Sequence, residues 1–174
     1  MQFSLEKSIE ILEHTPTVLI TMLQGVATDW TSNNEGKDTW SVYDVIGHLI
    51  HGEKTDWVPR AKIILSQNSN KNFEVFNRFA QFEDSKDKSL NELLDEFGQL
   101  RKENLDWLRS AKINDEDLEK KGIHPAFGEV SLSQLLATWT VHDLNHLAQI
   151  ARVMSKQYLQ AVGPWTAYLK ILQS

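Results

Sequence analysis

Apolar residues recur at helical spacing along four stretches of the chain, separated by polar segments rich in Asn, Ser, Asp and Gly. In the first stretch, Leu5, Ile9 and Leu12 share one side of a helix over Ser4 to Glu13. Thr15-Pro16 then predicts a break or kink, since proline suits a first helical position. The helix should resume from Pro16 to Leu23, with Gly25 at its end. Residues 28–39 are polar, carry Asn33-Asn34-Glu35-Gly36, and read as a loop. Ser41 and Asp44 resemble a capping box and open the second helix, whose apolar face is Val42, Val45, Ile46, Leu49 and Ile50. It should run to Ile64 or Leu65, kinked at Pro59. Ser89 and Glu92 form another box, opening a third helix with Leu90, Leu93, Leu94, Phe97, Leu100, Leu105 and Leu108. Ser131 and Gln134 open the fourth, which carries Leu132, Leu135, Leu136, Trp139, Ile150, Val153 and Met154 and ends near Tyr158.

The connecting segments are less regular. Ser66 to Lys88 holds Asn and Ser clusters with Phe73, Phe76, Phe79 and Phe82, and reads as a long loop packing its rings on the helices. Loops of that length are uncommon and often functional. Asp115 to Lys120 predicts a turn of helix, and Gly122 to Gly128 a loop. Gly163-Pro164-Trp165 starts a short terminal helix. No stretch shows strand-like alternation or an internal repeat. The expected fold is all-α: a four-helix bundle with a short C-terminal helix, one domain over residues 1–174.

Composition narrows the function classes. The 174 residues are 41% apolar, enough for a core, and no apolar run approaches the ~20 residues that span a bilayer. The chain has no cysteine, which excludes disulfides, thiolate metal sites and cysteine nucleophiles. The formal net charge of −6 disfavours nucleic acid or an anionic membrane as main partner. The first residues lack the basic-then-apolar order of a signal peptide, so a cytoplasmic location is expected.

The candidate chemistry sits on the fourth helix. In Trp139-Thr-Val-His142-Asp-Leu-Asn-His146, the two histidines are four apart and stack on one helical face, the apolar one. That spacing lets one helix give two imidazoles to a single metal ion. The same spacing also suits two histidines hydrogen-bonded to neighbours. A third imidazole would come from His14, His48, His51 or His124. His48 is preferred: it lies among apolar residues, and Gly47 beside it would admit a close neighbour. His51 should face solvent. Three charged residues fall within apolar stripes, Glu53 and Arg60 on the second helix and Asp143 on the fourth. Buried charges persist when paired, so Arg60 is expected to bridge Glu53, Asp143 or both behind the histidines. Glu53 as a catalytic base is less well placed, about 140° around the helix from His48. Trp57, Trp139 and Trp165 would line a pocket, a core or an interface between copies.

Trp40-Ser-Val-Tyr-Asp-Val-Ile-Gly-His48-Leu-Ile-His-Gly-Glu53, Trp57-Val-Pro-Arg60 and the segment from Trp139 to Ile150 resemble the DinB/YfiT-like superfamily. The likeness extends over nearly the whole chain. It implies a four-helix bundle, a homodimer, and a divalent metal, zinc or nickel, held by one histidine of the second helix and the pair on the last long helix. Matched by position, these are His48, His142 and His146. It further implies a metal-dependent hydrolase, or a thiol S-transferase using a low-molecular-weight thiol as cosubstrate, with a small molecule as substrate. The alternative is a non-catalytic, stress-related binding protein with a structural metal. That reading needs a fourth protein ligand, for which His51, Glu53 and Asp143 are the candidates.

Overall fold

The computed structural model describes residues 2–173. Four long helical segments build a four-helix bundle: α1 (Leu5–Leu23), the pair α3 (Val42–Thr55) and α4 (Trp57–Leu65), α6 (Leu90–Ser110) and α8 (Leu132–Lys156). Short helices α2 (Asp29–Ser32), α5 (Ala80–Asp84) and α7 (Asp115–Leu118) lie in the connections. The helix starts follow the sequence closely. Ser41, Ser89 and Ser131 each accept a hydrogen bond from the third helical residue, whose side chain in turn accepts from the serine backbone. The expected terminal helix is present as a 3₁₀ turn at Gly163–Tyr168.

Five local readings are corrected, the first being residues 28–39, which are not all loop but hold α2 (Asp29–Ser32). α1 continues through Pro16 without a break. Proline cannot donate to the Leu12 carbonyl one turn back, and the Arg101 guanidinium donates there instead, at 2.7 Å. The second helix is broken rather than kinked, at Asp56, three residues before Pro59. Gly122–Gly128 belongs to an antiparallel hairpin, β1 (Lys121–His124) with β2 (Gly128–Ser131). Gly128 takes φ +72° after the three turn residues, as three-residue hairpins require. Finally, residues 66–88 are not loop throughout. Phe73 is buried and its backbone pairs with Ile123, α5 follows, and Phe79 and Phe82 remain exposed.

The buried apolar residues form two groups along the bundle. One includes Leu12, Trp57, Val58, Leu105, Leu108, Leu132, Leu136 and Trp139. The other includes Leu19, Val42, Val45, Ile46, Leu93, Phe97, Ile150 and Val153. Glu53, Arg101 and Asp143 fall between the two on their helices. Arg101, 1% exposed, donates to Glu53 Oε1 and to both carboxylate oxygens of Asp143. The Trp139 indole N–H also donates to Glu53, at 3.0 Å, and Asn104 to its other oxygen, at 2.9 Å. A polar layer thus ties α1, α3, α6 and α8 together at mid-height. Burial opposes the arginine's charge, but the two carboxylates more than offset this and raise its pKa above the usual value.

Glu53 and Asp143 are therefore paired as expected, with Arg101 and not Arg60. The break at Asp56 turns Arg60 toward Asp56, the Phe73 ring and the Glu74 carbonyl. Arg60→Leu should cost the smaller amount of the two arginines, about 1–2 kcal/mol by urea unfolding. Burial raises the Asp56 carboxyl pKa, and the loss of Arg60 removes a charge that holds it down.

Candidate metal centre

α8 presents His142 and His146 one turn apart, and α3 brings His48 against them. His48 Nε2 and His146 Nε2 each lie 3.1 Å from His142 Nε2. One ligand atom from each ring lies within 4.8 Å of the others, and among the described residues this is the only such group. Trp40 and Phe76 pack on the His48 ring, with centroids 4.9 and 5.6 Å away. Trp57 meets His142 edge-on, and stacks parallel to Trp139 in the core. Trp165 is exposed and takes no part.

Two glutamines orient the imidazoles. His48 Nδ1 lies 3.1 Å from Gln81 Oε1, and His146 Nδ1 lies 2.7 Å from Gln149 Oε1. An amide oxygen only accepts, so both Nδ1 atoms carry the proton and both Nε2 atoms present a lone pair. Burial is the main cause that lowers all three histidine pKa values. With the neighbouring imidazoles adding to it, His48 falls to about 4 and His142 to about 2. Arg78 contributes further at His48, and Arg101 at His142. The three rings are neutral at pH 7, and at most one proton is available among three facing Nε2 atoms. His142 Nδ1 is buried without a partner, and with two lone pairs facing its Nε2, Nε2 is the atom that carries the proton until a cation displaces it. Converging lone pairs on neutral imidazoles are the donor set a divalent cation requires. The residues present fit the group.

The possible fourth ligands are engaged elsewhere. Glu53 and Asp143 both hold Arg101. His51, expected to face solvent, is buried against Phe76 and pairs with Asp84 at 3.3 Å. The cause is α5, which covers this side of α3. Gly47 admits it, because a Cβ there would collide with Ser85. Arg60 lies outside the arrangement.

Sequence reasoning missed Gln81, Gln149 and Arg101. Arg101 was readable, since it continues the stripe of Phe97, Leu105 and Leu108 at helical spacing. Gln149 lies three residues after His146 on the same helix, a spacing that puts the two side chains on neighbouring positions. Gln81 had no such signal, because α5 is too short to show a period. Gln81 is 1% exposed, and its amide nitrogen is buried without a partner. Such a donor destabilises by about 1–3 kcal/mol. Gln81→Leu exchanges that orphan for the buried His48 Nδ1–H, so the stability of the metal-free protein should change little, while metal affinity falls about 10- to 100-fold in chelator competition.

A sequence comparison shows the family, and structural comparisons show the fold. The sequence pattern of the DinB superfamily matches residues 11–150. This chain belongs to the DinB superfamily. Among proteins of curated function, none matches it in sequence. The DinB fold is shared with a solved structure, Bacillus subtilis YfiT, described as a probable metal-dependent hydrolase with an unusual four-helix bundle topology. The TM-score is 0.74 at 19% identity, covering 88% of this chain and 86% of that one. A second, TT2238, described as a four-helix bundle protein, matches with a TM-score of 0.57 at 18% identity, over 85% of this chain and 98% of that one. Within the DinB fold described here, no helix among the described residues is long and apolar enough to cross a membrane.

Proposed function

We propose that this DinB protein holds a divalent metal ion, zinc or nickel, on the Nε2 atoms of His48, His142 and His146, and is a metal-dependent hydrolase of a small molecule. The observation that carries the reading is three convergent, neutral imidazoles, with the buried carboxylates of Glu53 and Asp143 both committed to Arg101. Such a donor set is open, as catalytic sites are, whereas a structural site is closed by a fourth protein ligand. When bound, the ion supplies Lewis acidity, drawing the pKa of a water toward ~7 and that of a thiol below neutrality. The protein's own residues prepare that point. Gln81 and Gln149 hold two rings in the donor tautomer, and neutral ligands leave the ion's charge undiminished. The rings of Trp40, Phe76 and Trp57 restrict water around it. The description of YfiT supports the hydrolase reading.

One observation favours a second reaction. The buried carboxylates of Glu53 and Asp143 are held by Arg101 and are not free to act as general base, and transfer of a low-molecular-weight thiol to an electrophile needs none from the protein. Both reactions are tested together, on ester, amide and electrophile panels with Zn²⁺ or Ni²⁺ supplied. Turnover is expected only with metal, and should vanish on chelation and in His142→Ala. Product formed only when thiol is present assigns the transferase. Turnover that survives His142→Ala sinks both versions.

A further inference from the structure

Next to the histidine cluster lies a cleft of about 250 Å³, lined by Glu35, Asp38, Thr39, Trp40, Arg78, Gln149 and Arg152. It shares two side chains with the cluster. Trp40 packs on His48, and Gln149 accepts from His146. The charges in it are unevenly used. Glu35 accepts two hydrogen bonds from Arg152, at 2.8 and 2.7 Å, and a third cationic contact from Lys156 at 3.2 Å. Glu35 and Arg152 thus offset one another. Arg78 has neither an ion pair nor a hydrogen bond among the described residues. Its guanidinium carbon instead lies over two aromatic rings, 6.0 Å from the Trp40 centroid and 5.3 Å from that of Phe79. A guanidinium held over ring faces keeps its N–H donors for a planar acceptor. Asp38, exposed on the opposing loop, is the remaining charge in the cleft and has no ion pair either. The charges that line the cleft balance, two acidic against two basic, and Arg78 is the cation among them with no carboxylate partner.

We infer that Arg78 grips an oxyanion, a carboxylate or a phosphate, on the small molecule that this protein processes, and so aims the rest of that molecule at the histidine cluster. The inference rests on the metal-centre reading for the direction of the substrate, and on the cleft alone for the anion. An arginine presents two parallel N–H donors to either group, and the pairing is charge-assisted. Trp40 serves two purposes: its ring supports Arg78 and it packs against His48. The side chains that hold the anion are thereby one residue removed from a ligand candidate. Asp38 works against a dianion, which favours the singly charged carboxylate over a phosphate monoester.

The test is a titration of the full-length protein with acetate, succinate and inorganic phosphate, followed by the Nε–Hε resonance of Arg78 and by calorimetry. It is run metal-free and again with Zn²⁺. Wild-type protein should bind at least one of these anions saturably and shift that resonance. Arg78→Ala should weaken binding about tenfold or more, while Lys102→Ala, at a distant surface cation, should not change it. Asp38→Asn should strengthen binding, most for phosphate. Retention of a carboxylate over phosphate names the first source, and the reverse names the second. Equal binding in wild type and Arg78→Ala, or no saturable binding by any of the three, overturns the inference. The two readings fail separately: Zn²⁺ uptake with no Arg78-dependent anion binding removes this proposal alone, and Arg78-dependent binding in a protein that takes up no metal removes the metal centre alone.

Discussion

Replacing Arg101 with methionine is expected to destabilise the protein by about 3–5 kcal/mol in urea unfolding. The substitution keeps the side chain's length and removes its charge. Glu53 and Asp143 would then face each other across the bundle with no cation, both buried to within 2% of complete exclusion. The Leu12 carbonyl would lose its donor at the same moment, since Pro16 cannot replace it. That adds an unsatisfied buried acceptor to two uncompensated charges. Arg101→Lys should fall between wild type and Arg101→Met, because an ammonium cannot make the forked contacts to Glu53, Asp143 and Leu12 together. A triple variant, Glu53→Gln, Arg101→Met and Asp143→Asn, should recover much of the loss, as neutralising all partners removes the uncompensated charge. Arg101→Met as stable as wild type would mean that the polar layer does not hold the four helices.

Legibility followed the length of the periodic signal. The four long helices and their serine caps were readable, because an apolar stripe over several turns and a box at its start are consistent with one another. His142 and His146 were readable for the same reason, being fixed relative to one another by a single helix. Pairings between helices were harder. Asp143 and Glu53 could be recognised as buried charges, yet their partner was sought on the second helix, where Pro59 and the break at Asp56 change the facing of Arg60. Choosing Arg101 required knowing that α6 lies against both α1 and α3. The residues of α5 were least accessible. Gln81 and Ser85 are buried because Gly47 leaves room for them, a fact of packing between segments more than 30 residues apart.

The second large effect concerns the link between α3 and α8. A metal ion on His48, His142 and His146 would tie the two helices and bind the folded state alone. Adding Zn²⁺ or Ni²⁺ at about a hundredfold excess over its Kd should therefore stabilise wild type by about 2.7 kcal/mol. His142→Ala and His48→Ala should gain none of this, since two imidazoles remaining on or between the helices hold a divalent ion far more weakly. Both variants should fold, because removing one neutral ring from the cluster leaves no buried charge unpaired. Gln81→Leu should show an intermediate shift, with the ligands present and the His48 tautomer no longer held.

The most direct measurement is the metal content of tag-free protein by mass spectrometry, wild type beside His48→Ala and His142→Ala, each after incubation with Zn²⁺ or Ni²⁺ and removal of the excess. The account predicts about one ion per chain in wild type and none retained in either variant. Wild type that retains no ion, or variants that retain as much as wild type, would contradict it.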